Sequence, residues 1–237
     1  MIIYGRNPVR EAIRGPRAVR RIWAARGAMR EPWLAPHSAI ITRSEPEELE
    51  RICGSGGHQG VCAEVEAFRY TEDAELLRGG PDALIVALDQ VQDPQNLGAI
   101  IRTAECAGAA GLVLPERRSA EVTPAVCKAS AGAVEHLPVA QTRNLADFLG
   151  EAKRAGLWCY GADQGGATDY RSTDLSGPVV LVLGSEGRGL RPRVAAACDA
   201  IVSIPLRGRI ESLSVSAAAA ILIFAAAEKR QGVLRQA

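Results

Sequence analysis

What most constrains this 237-residue chain is a recurrence in its second part. The short apolar runs DALIVALD, GLVLP, LWCYGAD, VVLVLG and AIVSIPL follow one another from Asp82 onward, spaced by helical stretches. Each is strand-length and bounded by Gly, Pro or Asp, the pattern of a strand buried on both faces. Repeated alternation of such strands with helices predicts an α/β domain, a mostly parallel sheet with helices on both faces. Apolar residues make up 47% of the chain but aromatics only 4%, so the core must be built from Ala, Val, Leu and Ile.

The chain before Phe68 has a different rhythm. NPVREAIR reads as a helix, VRRIWAA and AIITR as strands, and GVCAEVEAF as a half-buried strand. SEPEELERIC carries a helix start, with Ser44 as cap, Pro46 early and acids in the first turn. Residues 1–70 are thus expected to form a small α/β unit. The polar stretch that follows, ending in RGGPD, predicts a linker over 71–82. A second domain then occupies 83–237.

Several classes are disfavoured. A formal net charge of +1 does not suit a histone-like nucleic-acid binder, although a local basic patch remains open. The six cysteines form no Cys-x-x-Cys pair, so neither a metal site nor a disulfide framework is expected, and buried reduced thiols are. No apolar run reaches the roughly 20 residues that span a bilayer. MIIYGRNPVREAI has charges where a signal peptide needs an apolar centre. A cytoplasmic protein without a membrane partner is the expectation. SAAAAILIFAAAEKR suits a buried helix or an oligomer face.

Three loops at strand ends hold the candidate chemistry. In DPQNLGAIIRTA, Asn96 and Gly98 enter a helix on which Arg102 follows, and both polar side chains can face one cleft near a helix N-terminus. Capping and surface charge are the plainer readings of these two residues. GSEGRG matches neither a Walker loop nor Gly-x-Gly-x-x-Gly, and its glutamate would repel a phosphate. Its glycines let backbone approach a neutral or cationic ligand. Glu186 can orient an arginine, accept from a hydroxyl, or cap the next helix. In IPLRGRIESLSVSAAAAI, Ser212, Ser214 and Ser216 alternate before an alanine-rich helix, more hydroxyls than capping needs.

Together and in this order, DPQNLGAIIRTA, LVLGSEGRGL and IPLRGRIESLSVSAAAAI resemble the three motifs of the SpoU (TrmH-like) family of RNA ribose 2′-O-methyltransferases, of the SPOUT superfamily. YGRNPVREAI and HQGVCAEV resemble the L30e-like RNA-binding domain that precedes the catalytic domain in the 23S rRNA guanosine type. The resemblance implies a C-terminal α/β knot, a deep trefoil that is an exception to the rule against threading. It also implies S-adenosylmethionine as cofactor, RNA as substrate and a homodimer. Carried over, Leu183, Gly184, Gly187, Ile204, Leu206 and Leu213 would bind the cofactor, and Asn96, Arg102, Glu186, Ser212 and Ser214 would surround the target hydroxyl.

The family's arginine has been given the role of base, yet a guanidinium with pKa above roughly 12 stays charged. The expected division of labour is therefore different. Arg102 clamps a phosphate and stabilises developing charge, Glu186 orients Arg102 or takes the proton, and Asn96 fixes the ribose. SLSVS departs from the usual Ser-Leu-Asn-Val-Ser, with Ser214 at the asparagine position. Arg6, Arg10, Arg14, Arg17, Arg20 and Arg21, with Arg207 and Arg209 by the third motif, are the expected RNA contacts. AMREPWLAPHSAI stands where the family has a longer helical stretch. The alternatives are a tRNA methyltransferase and a non-catalytic RNA-binding protein on the same fold.

Overall fold

A computed structural model describes residues 1–234, with side chains through Arg230; residues 235–237, the end of the expected second domain, lie outside the described residues. The chain builds two sheets. The first has strand order β1-β4-β2-β3, from β1 (Ile2–Tyr4), β2 (Val19–Ala24), β3 (Ile41–Arg43) and β4 (Val61–Val65). β4 runs antiparallel to β1 and β2, while β2 and β3 are parallel. Helix α1 (Arg6–Arg14) buries Pro8, Val9 and Ala12.

Helix α2 (Pro46–Cys53) forms where its start signals lie, but Ser44 is not its cap. Glu45 is the N-cap residue, Glu47 and Glu48 sit in the first turn where the helix dipole favours them, and Gly54 ends the helix in the left-handed region. Ser44 instead donates its backbone N–H to Ala24 O at 3.1 Å, extending the β2–β3 edge, and is buried. The strand expected at AIITR is cut to β3 because Ala35–Ile40 coils into 3₁₀ turns.

The second sheet has eight strands, all paired in parallel, in the order β10-β12-β9-β11-β6-β7-β8-β5. They are β5 (Thr71–Glu72), β6 (Leu84–Asp89), β7 (Gly111–Pro115), β8 (Val139–Thr142), β9 (Trp158–Ala162), β10 (Thr168–Asp169), β11 (Val179–Gly184) and β12 (Ala200–Ser203). The expected fold class is present. Every residue of β6 is buried, and alternate residues serve opposite layers. Leu84, Val86 and Leu88 pack with Leu97, Ile100 and Ile101 of α4 (Pro94–Cys106), Val126 of α5 (Pro124–Ala129), and Leu222 and Ile223 of α8 (Val215–Leu234). Ile85 and Ala87 pack with Leu145, Phe148 and Leu149 of α6 (Leu145–Arg154) and Val194 of α7 (Pro192–Ala197).

Residues 71–82 are not a free tether. β5 pairs with β8, Thr71 opposite Ala140, and α3 (Asp73–Leu76) buries Leu76 against Gly111. A polar composition concealed one apolar anchor. The larger hydrophobic core is continuous across both sheets, joining Ile3, Val9 and Ile22 to Leu84, Ile100 and Val126.

The six cysteines are free, but Cys106 is exposed, contrary to the expectation of buried thiols. Among the described residues no group of three His, Cys, Asp or Glu side chains is placed to hold a metal, and no helix is long and apolar enough to cross a membrane.

Candidate active site

The three candidate loops meet beyond the C-terminal ends of β6, β11 and β12, where open parallel sheets place their ligands. The GSEGRG turn closes on itself: Ser185 N donates to Gly189 O at 3.2 Å and Gly189 N to Ser185 O at 3.0 Å. Gly187 and Gly189 turn through φ +79° and +64°. A Cβ on Gly184 would fall on the backbone of Gly189 and lie 2.5 Å from Leu190 N, so no larger residue fits beneath the turn. The glycines serve chain closure and close approach, not a phosphate.

The far end of this turn is anchored by a pair the sequence did not announce. Asp89, closing β6, has a fully buried side chain. Its Oδ2 accepts from Arg191 N at 2.8 Å and its Oδ1 from Arg191 Nε at 2.7 Å. A buried carboxylate needs such compensation. The pair fixes the second loop to the strand that feeds the first.

Glu186 is the centre of a polar network. Its Oε1 accepts from Asn96 Nδ2 at 3.1 Å and from Val215 N at 3.3 Å. Asn96 Oδ1 accepts from Ser216 Oγ at 2.8 Å, so both ends of the amide are used and its orientation is fixed. Ser216 Oγ lies 3.2 Å from Ser214 Oγ, which caps α8 by accepting from Ala217 N at 3.2 Å. Glu186 therefore does not cap α7, whose N-cap is Arg191, and Asn96 does not cap α4, because Asp93 Oδ2 accepts from Asn96 N at 3.0 Å. Glu186 Oε2 makes no hydrogen bond among the described residues, leaving one carboxylate oxygen for a ligand. Ser216 was not among the expected site residues; its signal was its place as the third of the alternating serines.

Beside this network lies a cleft of about 500 Å³. Leu183, Gly184, Gly187, Ile204, Leu206 and Leu213, the expected cofactor residues, all line it, with Glu186 and Ser212. Ser212 makes no side-chain hydrogen bond to the Glu186 network. Asp163, at the end of LWCYGAD, and Glu211 were not foreseen. Asp163 Oδ1 accepts from Gly165 N at 2.9 Å, and a Cβ on Gly189 would meet Asp163 Oδ2 at 2.5 Å.

The donor set suits a particular ligand chemistry. Leu206 and Leu213 stand 37% and 39% exposed at the cleft, apolar surface that a flat heteroaromatic group would cover. Asp163, Glu186 and Glu211 outnumber the one arginine in the lining, Arg188, and the excess of negative charge suits a sulfonium and an ammonium better than a phosphate. These residues fit S-adenosylmethionine.

Other expected residues lie apart. Arg102 is exposed and makes no ion pair or hydrogen bond among the described residues, so Glu186 does not orient it. Six residues of α-helix turn the chain by about 600°, leaving Arg102 about 120° around α4 from Asn96. Arg207 and Arg209 are exposed beside the cleft. Arg6 pairs with Glu31 at 2.9 Å and Arg10 with Glu11 at 2.9 Å, both partly exposed. Arg17, grouped with the RNA-binding arginines, is instead buried against Glu135.

The profile of the SpoU rRNA Methylase family matches residues 83–224, and that of RNA 2′-O ribose methyltransferase substrate binding matches residues 2–71. The Bacillus subtilis protein YacO, described as a TrmH family tRNA/rRNA methyltransferase, is 36% identical over 240 residues, covering 98% of this chain and 96% of its own. An uncharacterized tRNA/rRNA methyltransferase of Mycolicibacterium vanbaalenii is 39% identical over 241 residues, 97% of this chain and 77% of its own. Among solved structures, the SpoU methyltransferase AviRb from Streptomyces viridochromogenes, in complex with AdoMet, superposes with a TM-score of 0.83 at 26% identity over 98% of this chain and 91% of that one. An AdoMet-bound rRNA methyltransferase from Sinorhizobium meliloti gives 0.80 at 29% identity over 96% and 86%. The chain belongs to the SpoU rRNA methylase family and is an RNA methyltransferase.

Proposed function

We propose that this enzyme transfers a methyl group from S-adenosylmethionine to the ribose 2′-hydroxyl of a guanosine in 23S rRNA. The observation that carries the reading is the Asn96–Glu186 hydrogen bond at the edge of a cleft that is apolar, acidic and without a phosphate cradle. Residues 1–70 hold the RNA and residues 83–237 carry the transfer, within the SPOUT knot. A bound S-adenosylmethionine supplies an activated methyl on a sulfonium, open to in-line displacement. Leu183, Gly184, Gly187, Ile204, Leu206 and Leu213 hold it, and Asp163 adds an anion for its positive charge.

The chain's own residues then place and deprotonate the hydroxyl. Near-attack placement, within about 3–3.5 Å, supplies much of the rate. Asn96 Nδ2 and Val215 N hold Glu186 in one position through Oε1, with Ser216 fixing the Asn96 amide, which leaves Oε2 to accept the ribose proton as the oxygen attacks. Ser212 lines the rim, and Ser214, outside the lining, holds the start of α8 by capping it. Arg102, exposed and uncommitted among the described residues, binds a phosphate of the RNA, as do Arg207 and Arg209. Arg6 and Arg10 extend the contact on the first unit. Phe224, 46% exposed on the apolar α8, faces a second copy in a homodimer of this cytoplasmic enzyme.

Transfer of radiolabelled methyl onto 23S rRNA and onto tRNA, followed by nucleoside analysis, tests this reading. Label recovered as 2′-O-methylguanosine from one 23S position supports it. Label confined to tRNA moves the enzyme to the alternative substrate, and label on neither RNA despite cofactor binding leaves a non-catalytic binder.

A further inference from the structure

Arg17 departs from every other arginine of the first unit. Its side chain is 8% exposed and that of its partner Glu135 1% exposed, across 118 residues of sequence. Arg17 Nε donates to Glu135 Oε2 at 2.8 Å and Nη2 donates to Glu135 Oε1, while Nη1 donates to Glu66 O at 3.1 Å. The guanidinium also lies 5.6 Å from the Phe68 ring centroid. With its donors so engaged, Arg17 has no face left for a phosphate.

The pair belongs to a larger joint between the two sheets. His136 Nε2 lies 3.0 Å from Glu11 Oε2. Gly132 lets the chain pass so close to α1 that a Cβ there would meet Glu11 Cβ at 2.7 Å. The far side of the same 124–137 segment presses on the first turns of α4, where a Cβ on Gly98 would meet Ser130 N at 2.8 Å. Gly98 is two residues from Asn96. One segment thus touches the RNA-holding unit on one side and the base of the catalytic network on the other.

A buried ion pair adds little net stability compared with an apolar contact of the same volume, because both charges must be desolvated. A planar two-bond guanidinium–carboxylate contact does fix direction as well as distance. We infer that Arg17 and Glu135 are positioning residues that set the RNA-holding unit in register with Asn96 and Glu186, so that the ribose of a bound RNA arrives in line. This rests on the ribose methyl-transfer reading above. A misplacement of about 1 Å can cost about 10²-fold in rate.

The test is Arg17→Ala and Glu135→Gln, measured for cofactor Kd, RNA Kd, single-turnover rate at saturating RNA, and the position of the methyl. The expected result is a rate lowered about tenfold or more and methyl spread onto neighbouring nucleotides, with both Kd values within about twofold of wild type. An unchanged rate and position overturns the inference. So does cofactor affinity falling in step with rate, which marks a purely structural role, or RNA affinity falling alone, which marks Arg17 as an RNA contact. Should Arg17→Ala fail to fold, Glu11→Gln with His136→Ala opens the more exposed half of the joint under the same readouts. A wild-type enzyme that methylates no RNA would remove the proposed function itself; an active wild type with normal variants removes only this inference.

Discussion

Asn96 Nδ2 donates to Glu186 Oε1 at 3.1 Å, joining the first turn of α4 to the loop after β11 across 90 residues of sequence. The bond uses one carboxylate oxygen and leaves the other free of partners among the described residues. Glu186→Gln keeps the volume but removes the proton acceptor. Its turnover is expected to fall by about 10²-fold or more, while cofactor affinity, read by calorimetry, moves far less. Equal losses in both would make Glu186 a cofactor ligand only.

Ser216 supports that pair from behind by donating to Asn96 Oδ1 at 2.8 Å. Ser216→Ala leaves the amide oxygen short of one partner, a loss of about 1 kcal/mol, or about fivefold in kcat. Steady-state kinetics on the RNA substrate checks it, and the cofactor Kd should not change.

Ser214 stands where the family motif has asparagine, and its Oγ accepts from Ala217 N at 3.2 Å as the cap of α8. Asparagine caps helices as well as serine does. Ser214→Asn should therefore keep or raise activity, whereas Ser214→Ala should lower unfolding stability by about 1 kcal/mol. A complete loss of methyl transfer in Ser214→Asn would contradict this account of the position.

Arg191→Ala would remove the guanidinium from the fully buried Asp89 carboxylate and leave it only the backbone N–H of residue 191. Denaturant unfolding should show a loss of about 3 kcal/mol, at the low end for a broken buried pair because the Arg191 side chain is 43% exposed. Asp89→Asn with Arg191→Ala should recover part of it, since the uncompensated charge is gone.

The parts of the fold that were legible are those written in local pattern. The runs 179–183 and 83–88 are apolar at every inward and outward position because both sheet faces are covered, which is why they read as parallel strands without further help. Gly184, Glu186 and Leu213 were legible because each lies inside one of the three contiguous motifs that carry the family resemblance. What escaped depends on tertiary partners. Arg17 has the sequence context of a phosphate contact, and only the approach of Glu135 shows otherwise. Asp89 looked like a strand terminator until Arg191 met it. Thr71–Glu72 is too short to carry a strand pattern and exists as one because β8 offers it an edge. Ser44 sits one residue before the N-cap Glu45, held in the β2–β3 edge by its backbone bond to Ala24, a placement set by a strand pairing that local pattern does not show.

Three remote segments form one cleft whose floor is the turn at Gly184, and the proposed function makes it the cleft of the methyl donor. Calorimetric titration of S-adenosylmethionine into the wild type and Gly184→Ala tests it most directly, because the added Cβ would collide with the backbone of Gly189 and lie 2.5 Å from Leu190 N. The account predicts one saturable site per chain in the wild type and no measurable binding in a folded Gly184→Ala variant. No uptake by the wild type, or equal affinity in the two proteins, would contradict it.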